Sequence, residues 1–408
     1  WLKTVAHRSL PGLWVRYPFR CMSSAAADHQ RRRLTVSHGD SAGPGGRSGS
    51  KTEDQQTTLE KAGLSEVFHE KAVAGRKAVS ISSITDKDLK RRRSFGAKDE
   101  VILAPAPLEG QEKELQQWVK GSGVGWACKK GLKPESPNQD SFAIIAVENC
   151  YNLYGVFDGH GPNGHDVSDF VRINIGSAFL KHPKRDSDVE KAFSDAFFEV
   201  QSMLVKHPKV DSSTSGTTCT LAYHDIPGDR LVIAHAGDSR SVLGKKLKSG
   251  SKLEAQDLTV DHKPNLPAER ERIENAKPPG RVVFDGFYNY RVFAMDGMYP
   301  GLNMSRALGD VVAHDEAGLT CKPDVKIINL KETREACSEL ILLICTDGVW
   351  EFIDSAVGVK QAFGTYQGNP ANVMSACEKL ASESWNEWMK DSDHEISDDI
   401  TAIMVTFK

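Results

Sequence analysis

Short apolar runs alternate with amphipathic stretches along the chain from Trp118 onward. The runs are rich in β-branched and aromatic residues, a pattern that predicts β-strands. The predicted strands cover residues 141–147, 153–157, 219–223, 231–236, 241–243, 340–345 and 401–407.

Three longer segments repeat apolar residues at i, i+3 and i+4 spacing, which predicts helices. They cover residues 167–179, 189–204 and 373–388. Two helices in succession between groups of strands disfavour a regular alternation of strand and helix. The order predicts an α+β fold in which helices cover antiparallel sheets.

The first 117 residues lack sustained periodicity. Basic runs at 31–33 and 90–93 and a Gly/Ser stretch at 41–50 predict a mostly disordered basic and polar arm over residues 1–117. Residues 118–408 then form one catalytic domain, onto which short apolar pieces at 64–68 and 101–108 could dock. Ser94 follows a basic run, so we expect the arm to bind a partner or to be phosphorylated there. A solvated basic tail is the plainer interpretation.

Composition limits the classes of protein and the compartment. The chain has 408 residues, 39% hydrophobic and 26% charged, and a formal net charge of −3. One or two domains fit this length, and the charge gives no reason to expect nucleic acid as a partner. Eight scattered cysteines without a Cys-x-x-Cys pair indicate a reducing compartment. We expect a monomer.

The location is expected to be cytoplasmic or nuclear. No apolar run approaches the roughly 20 residues that a membrane-spanning helix needs. Residues 1–21 are basic and contain no acid, as organellar transit peptides do, but Met22-Ser23-Ser24 reads equally well as a natural start. Organellar targeting is therefore the less favoured alternative.

Aspartates end four of the apolar stretches: Asp158, Asp238, Asp347 and Asp398. Carboxylates without nearby Cys or clustered His favour Mg²⁺ or Mn²⁺ over zinc. Carboxylates that share a cleft repel one another, and divalent cations hold them ionised together. Two cations ~3.5–4 Å apart lower the pKa of a shared water and clamp a phosphoryl oxygen. Taken singly, each aspartate is more typical of an ordinary turn.

The order of these aspartates among other motifs changes that interpretation. The motifs are Asn138-Gln139-Asp140, Val156-Phe157-Asp158-Gly159-His160-Gly161, Ser215-Gly216-Thr217-Thr218, Ala236-Gly237-Asp238-Ser239-Arg240, Asp261-His262-Lys263-Pro264, Ser305-Arg306-Ala307-Leu308-Gly309-Asp310, Cys345-Thr346-Asp347-Gly348 and Asp398-Asp399-Ile400-Thr401. Over residues 119–408 the series resembles the metal-dependent protein serine/threonine phosphatases of the protein phosphatase 2C family. The resemblance implies a four-layer α-β-β-α sandwich, with two antiparallel sheets flanked by pairs of helices.

The resemblance implies two Mg²⁺ or Mn²⁺ ions in the active site. Asp158 matches the aspartate that bridges both ions, and Gly159 the residue whose backbone carbonyl completes a ligand shell. Asp347 and Asp398 match the other direct carboxylate ligands. Asp140 matches a carboxylate that acts largely through metal-bound water.

A weaker third ion is implied at Asp238, with Glu351 as a further contributor. His160 matches the general acid that protonates the leaving alkoxide. The implied reaction is direct attack on phosphoserine or phosphothreonine by a hydroxide that bridges two metal ions. The sequence contains no Cys-x5-Arg signature of a cysteine nucleophile. It also contains no Gly-x4-Gly-Lys-[Ser/Thr] loop that would indicate nucleotide hydrolysis.

The early motif departs from the family pattern. Gln139 stands at the glutamate position, and no arginine is present to hold the substrate phosphate. Lys129, Lys130 or Lys133 can supply positive charge, although none offers the bidentate fork of a guanidinium. Phosphate binding is expected to use one of these lysines.

The remaining motifs are expected to be structural. Residues 215–218 pack a strand near the site, and residues 261–264 fix a loop before a helix at 269–275. Arg306 and Asp310 form internal hydrogen bonds. The stretch 277–302, rich in glycine and aromatic residues, reads as loops that form a mobile contact surface or pack on the core.

The leading hypothesis is an active metal-dependent phosphatase that acts on phosphoproteins. The alternative is a pseudophosphatase, a binding or scaffold module left inert by the missing arginine. A structural protein whose basic arm docks an acidic partner is a third class, compatible with either.

Overall fold

The computed structural model describes residues 78–84, 98–104, 120–133, 136–250 and 252–407. The strands there are β1 (Ala78–Ile84), β2 (Lys98–Ala104), β3 (Val124–Lys129), β4 (Asp140–Val147), β5 (Tyr151–His160), β6 (Gly216–Thr217), β7 (Cys219–Asp225), β8 (Arg230–Ala236), β9 (Arg240–Leu247), β10 (Leu253–Asp257), β11 (Gly280–Phe284), β12 (Tyr290–Ala294), β13 (Pro300–Leu302), β14 (Leu308–Gly309), β15 (Asp324–Asn329), β16 (Cys337–Cys345) and β17 (Ile400–Phe407). The helices are α1 (Gly164–Leu180), α2 (Val189–Lys206), α3 (Pro267–Glu274), α4 (Val311–Glu316), α5 (Leu330–Ala336), α6 (Asp347–Trp350), α7 (Ser355–Tyr366) and α8 (Val373–Asp391).

Two antiparallel sheets carry the fold. The nine-stranded sheet runs in the order β15-β8-β7-β5-β4-β1-β2, with β6 pairing with both β5 and β14. The five-stranded sheet runs in the order β10-β9-β16-β17-β3. All ladders between the named strands of these sheets are antiparallel, as the sequence order predicts.

Three apolar clusters separate four layers. Ile144 and Leu342 belong to the cluster between the two sheets. Their neighbours Ile145 and Leu343 face away from it, because successive side chains of a strand point to opposite faces of the sheet. Ile145 joins the cluster under α1 and α2, and Leu343 joins the one under α7 and α8. This arrangement is the expected α-β-β-α sandwich.

The predicted strands and helices are present, with ends shifted by a few residues. The helices at 167–179, 189–204 and 373–388 correspond to α1, α2 and α8, and the helix at 269–275 corresponds to α3. The rings of Phe179 and Phe193 stack at 3.8 Å between centroids and join α1 to α2. None of the described helices is long and apolar enough to cross a membrane.

The large sheet begins before the predicted boundary at Trp118. β1 pairs with β4 on one side and with β2 on the other, so part of the expected arm belongs to the sheet. Val79 and Ile81 join the cluster between the sheets, and the Ser83 hydroxyl accepts a hydrogen bond of 3.0 Å from Phe142 N. A short alternation of apolar residues and serines inside a polar region was the missed signal. Ser94, the basic runs and residues 1–77 lie outside the described residues.

The stretch 277–302 was wrongly read as loops. It contains the three-stranded sheet β11-β12-β13, which buries Val282, Val292 and Ala294 against Ile273 and Ala317. Its aromatic side chains Phe284, Phe287 and Tyr299 are exposed, so they form a surface and do not pack on the core. Strands β3, β10 and β15 were also missed.

The burial of Ile81 predicts that β1 contributes to stability. Its side chain is 0% exposed, so Ile81→Ala should lower the free energy of unfolding by about 2–5 kcal/mol. The matched control is Ile327→Ala in edge strand β15, where the side chain is 46% exposed and the loss should stay below about 1 kcal/mol. Urea denaturation measures both, and equal losses would contradict the placement of β1 in the core.

Candidate active site

The predicted acidic residues meet at one edge of the sandwich, where strands of both sheets end. Asp140 at the start of β4 lies directly opposite Asp158 near the end of β5. Asp347 begins α6 just after β16, and the pair Asp398-Asp399 immediately precedes β17. β16 and β17 pair with each other, so their acidic ends are adjacent. Asp238 follows β8 in the larger sheet.

Asp140 is tied to the opposite sheet by a hydrogen bond. Its Oδ2 accepts a hydrogen bond of 2.8 Å from the Thr346 hydroxyl, which also accepts one of 3.0 Å from Thr401 N. Asp140 is 2% exposed, so the carboxylate lies in the interior between the sheet ends. Thr346 therefore fixes the spacing between Asp140 and the segment that carries Asp347.

The carboxylates raise one another's pKa values. Burial, followed by the charges of Asp347, Asp140 and Asp238, raises the pKa of Asp158 well above its ordinary value. Burial also raises the pKa of Asp140 to about 8, and the nearby Asp399 and Asp347 act in the same direction. The protein alone therefore does not hold all of these groups ionised near neutral pH, because their mutual repulsion is not relieved by solvent.

The donor set fits a hard divalent cation. The Oδ1 atoms of Asp140 and Asp238 are buried and have no hydrogen-bond partner among the described atoms. Buried carboxylate oxygens without donors are suitable ligands for Mg²⁺ or Mn²⁺. Within the described residues, no three carboxylate, imidazole or thiol groups already surround one point as ligands of a single ion. The ligand set would therefore have to close around a bound ion.

Two lysines already neutralise part of the cluster. Lys133 forms an ion pair with Asp398, and Lys263 forms one with Asp238. Burial raises the pKa of Asp238, while the Lys263 ammonium opposes that rise. Lys263 belongs to the motif expected only to fix a loop, so sequence reasoning missed its contact with the acidic cluster. Ammonium groups here occupy oxygens that a metal ion would otherwise use.

Among the three candidate lysines, only Lys133 contacts the acidic cluster. Lys129 donates a 2.8 Å hydrogen bond to the Ser382 hydroxyl on α8. Lys130 is buried and donates to the backbone carbonyls of Gly131 and Lys133 at 3.0 and 2.9 Å. Burial lowers the pKa values of both Lys129 and Lys130. Their contacts stabilise the segment between β3 and β4.

Gln139 and Asp399 hold that segment against β17. Asp399 accepts hydrogen bonds of 2.6 Å from Gly131 N and 2.8 Å from Gln139 N. The side-chain amide of Gln139 donates at 2.7 Å to the carbonyl of Gly161, in the turn after His160. Sequence reasoning assigned no role to Asp399, although the Asp398-Asp399 pair was visible. Its carboxylate positions the lysine-bearing segment over the site.

Gly159 is required by close backbone contacts. Its N–H donates a 3.1 Å hydrogen bond to the Gln139 carbonyl. An added Cβ would collide with the carbonyl oxygens of Gln139 and Gly164, which begins α1. The absence of a side chain thus lets the end of β5 lie against the start of α1.

His160 contacts a carboxylate that the motif pattern did not connect to it. Its Nε2 lies 2.6 Å from Asp310 Oδ2, and the Asp310 side chain is only 2% exposed. Burial lowers the pKa of His160, but the carboxylates of Asp310, Asp238 and Asp347 together outweigh burial, so the net shift is upward. The expected internal hydrogen bonds of Asp310 and Arg306 are present, the latter with Glu269 and Asp324.

The other assigned positions lie around this cluster. Thr218, in the motif expected to pack a strand near the site, accepts a 3.0 Å hydrogen bond from Asp158 N. Glu351 is exposed at the C-terminal end of α6 and donates its backbone N–H to the Asp347 carbonyl at 2.9 Å. The acidic cluster, His160 and Lys133 thus share one edge of the sandwich.

Known proteins with similar sequences identify the family. Residues 131–392 match Protein phosphatase 2C. "Probable protein phosphatase 2C 35" of Arabidopsis thaliana is 30% identical over 304 residues, which is 69% of this chain and 82% of that protein. "Probable protein phosphatase 2C 72" of the same plant is 34% identical over 310 residues, 72% of this chain and 88% of the relative.

Solved structures agree on the fold. A serine-threonine phosphatase 2C from Toxoplasma gondii superposes with a TM-score of 0.57 at 21% identity, covering 70% of this chain and 94% of its own. A C. elegans sex determining protein gives a TM-score of 0.56 at 18% identity, covering 71% and 65%. The chain belongs to the protein phosphatase 2C family of metal-dependent protein serine/threonine phosphatases.

Proposed function

We propose that the chain hydrolyses phosphoserine and phosphothreonine in proteins with two Mg²⁺ or Mn²⁺ ions bound at the acidic edge. The main support is the cluster of Asp140, Asp158, Asp238 and Asp347, in which Asp158 is half-buried and the other three are buried, and whose mutual repulsion calls for cations. When bound, such a pair of ions supplies a water of lowered pKa and compensates the charge of the phosphoryl group.

Different residues of the cluster would bind the different metal ions. Asp158 would contact both ions, because it is close enough to Asp140 and Asp347 for both charges to raise its pKa. Asp347 and Asp398 would each complete one side of the pair, and the Gly159 carbonyl would add a neutral oxygen. Asp238 would hold the weaker third ion, since Lys263 already supplies part of its countercharge.

His160 would act on the leaving group. It lies two residues beyond Asp158 on the same strand, so both side chains project to the same face of the sheet. When the P–O bond breaks, the serine or threonine oxygen takes the bonding electron pair and needs a proton, which the imidazole can give.

Lys133 is the proposed cation for the substrate phosphate. Its ammonium group forms an ion pair with Asp398, a proposed metal ligand. A phosphoryl oxygen bound next to Asp398 would therefore lie near this ammonium group. Lys129 and Lys130 make their hydrogen bonds with Ser382 and with backbone carbonyls instead. A single ammonium binds phosphate as a point charge, without the fork geometry of arginine.

One observation keeps the pseudophosphatase alternative in view. Lys133 and Lys263 sit on two of the proposed ligand carboxylates and compete with cations for them. If the ammonium groups stay on these carboxylates and exclude the cations, the fold would persist as a binding module without turnover.

For the segment before residue 118, we propose that β1 and β2 extend the catalytic domain, while a role for Ser94 stays a prediction.

Turnover of a phosphothreonine peptide tests the proposal directly. The unmodified chain should hydrolyse it with Mn²⁺, and EDTA should abolish the reaction. Asp158→Ala should lower turnover at least about 100-fold, since the proposed ligand of both ions and its charge are lost. Asp257→Ala at an exposed position should behave as the unmodified chain does. Absence of Mn²⁺-dependent turnover in the unmodified chain would leave the pseudophosphatase interpretation standing.

The role of Lys133 predicts a separate effect on substrate binding. Lys133→Met should raise the KM for the phosphopeptide about tenfold, on the scale of one charged hydrogen bond. The same change should not weaken Mn²⁺ binding, because it removes a competitor from Asp398. Lys252→Met, where the side chain is 72% exposed, is the matched control. A raised KM in Lys129→Met or Lys130→Met, with none in Lys133→Met, would refute the assignment.

A further inference from the structure

We propose that Asp310 is a positioning residue that orients the His160 imidazole for proton transfer to the leaving oxygen. The inference rests on the proposed function and adds a residue to it. The direct observation is the 2.6 Å contact between His160 Nε2 and Asp310 Oδ2, between residues 150 positions apart in the sequence. Two features of the fold make this contact more than an incidental hydrogen bond.

The first feature is a narrow ladder of strand ends that sets the distance between the two residues. His160 at the end of β5 pairs with Gly216 of β6, and Gly216 pairs in turn with Gly309 of β14. Asp310 follows directly, so the motifs at 215–218 and 305–310 together place its carboxylate beside the imidazole. An added Cβ on Gly216 would collide with Asp310 Oδ2 and crowd His160 Nε2. The glycine thus leaves the space that the pair occupies.

The second feature is the way in which the backbone of Asp310 is held. Its N–H donates a 2.8 Å hydrogen bond to the Ser215 carbonyl. The Gln201 amide of α2 binds both the N–H and the carbonyl of the preceding Gly309, at 2.7 and 3.0 Å. Asp310 itself has a φ of 43°, in the left-handed region that side chains seldom adopt. A strained residue held from several directions is typical of functional sites.

The side chain of Asp310 does not cap the helix that it precedes. Asp310 occupies the N-cap position of α4, where an aspartate ordinarily accepts a hydrogen bond from the first turn. Here it makes no such side-chain bond and turns to His160 instead. The carboxylate is therefore used for the imidazole and not for the helix.

The contact leaves one imidazole nitrogen for chemistry. With Nε2–H donated to Asp310, the ring plane is fixed and Nδ1 is the remaining nitrogen. Nδ1 is buried and has no hydrogen-bond partner among the described atoms. In the reaction, water oxygen bonds to phosphorus, and the P–O bond to the substrate breaks with its electron pair going to the serine or threonine oxygen. That oxygen takes a proton from Nδ1 of the doubly protonated imidazolium, which becomes a neutral imidazole and keeps the Nε2–H that donates to Asp310. The proton released by the attacking water passes to solvent.

Two substrates with different leaving groups separate positioning from a general structural effect. A threonine alkoxide needs the proton from His160, whereas the p-nitrophenolate of p-nitrophenyl phosphate leaves without one. Asp310→Gly tolerates the positive φ and removes the carboxylate. Its kcat should fall at least about tenfold more on a phosphothreonine peptide than on p-nitrophenyl phosphate, because only the first loses proton transfer.

Further variants sharpen the test. Asp310→Asn keeps an acceptor oxygen and tolerates the same backbone conformation, so it should recover part of the phosphopeptide activity. Gly216→Ala should reproduce the substrate difference by displacing the pair. His160→Ala should also lose more kcat on the phosphothreonine peptide than on p-nitrophenyl phosphate. Adding Asp310→Gly to His160→Ala should not change the ratio of these two kcat values further, as expected for residues that act as a unit.

Equal losses on both substrates in Asp310→Gly and Asp310→Asn would overturn the proposal and leave Asp310 a structural residue. The proposal would also be overturned if the double variant had a lower ratio of phosphopeptide kcat to p-nitrophenyl phosphate kcat than His160→Ala alone. Failure of the proposed function is a different result, because the unmodified chain would then show no Mn²⁺-dependent turnover on either substrate.

Discussion

Electrostatic repulsion among buried carboxylates at one edge of the sandwich is the constraint on which the site depends. Asp140 and Asp158 face each other across two neighbouring strands, where Asp140 is buried and Asp158 is half-buried. Such an arrangement is stable only with protons, ammonium groups or metal ions among the oxygens. The sandwich makes it possible, because the ends of two antiparallel sheets bring residues from distant parts of the chain to one place.

Charge compensation links the site to its surroundings. Lys133 and Lys263 form ion pairs with two of the carboxylates, Asp398 and Asp238. Asp399 fixes the lysine-bearing segment through Gly131 and Gln139, and Thr346 ties Asp140 to the second sheet. The same carboxylates that we propose as metal ligands thus form ion pairs with ammonium groups in the structure, so metal binding would have to replace these ion pairs.

The aspartates that meet at this edge could be predicted from the sequence because each one lies near the end or the start of an apolar strand, a local pattern. The partner of His160 could not, since Asp310 reaches it only through the pairing of β5, β6 and β14. The lysines show the same limit. The three candidate lysines are close in sequence but have different partners in the fold. Lys129 contacts α8, whereas Lys133 contacts Asp398. β1 was missed because its alternation is short and lies within a polar region.

We propose that the acidic edge binds two divalent ions in exchange for protons. Isothermal titration calorimetry with Mn²⁺, repeated in two buffers of different ionisation enthalpy, counts both ions and released protons. We expect two Mn²⁺ per unmodified chain with proton release, and at most one in Asp158→Ala. Fewer than two ions in the unmodified chain, or the same number in both proteins, would contradict it.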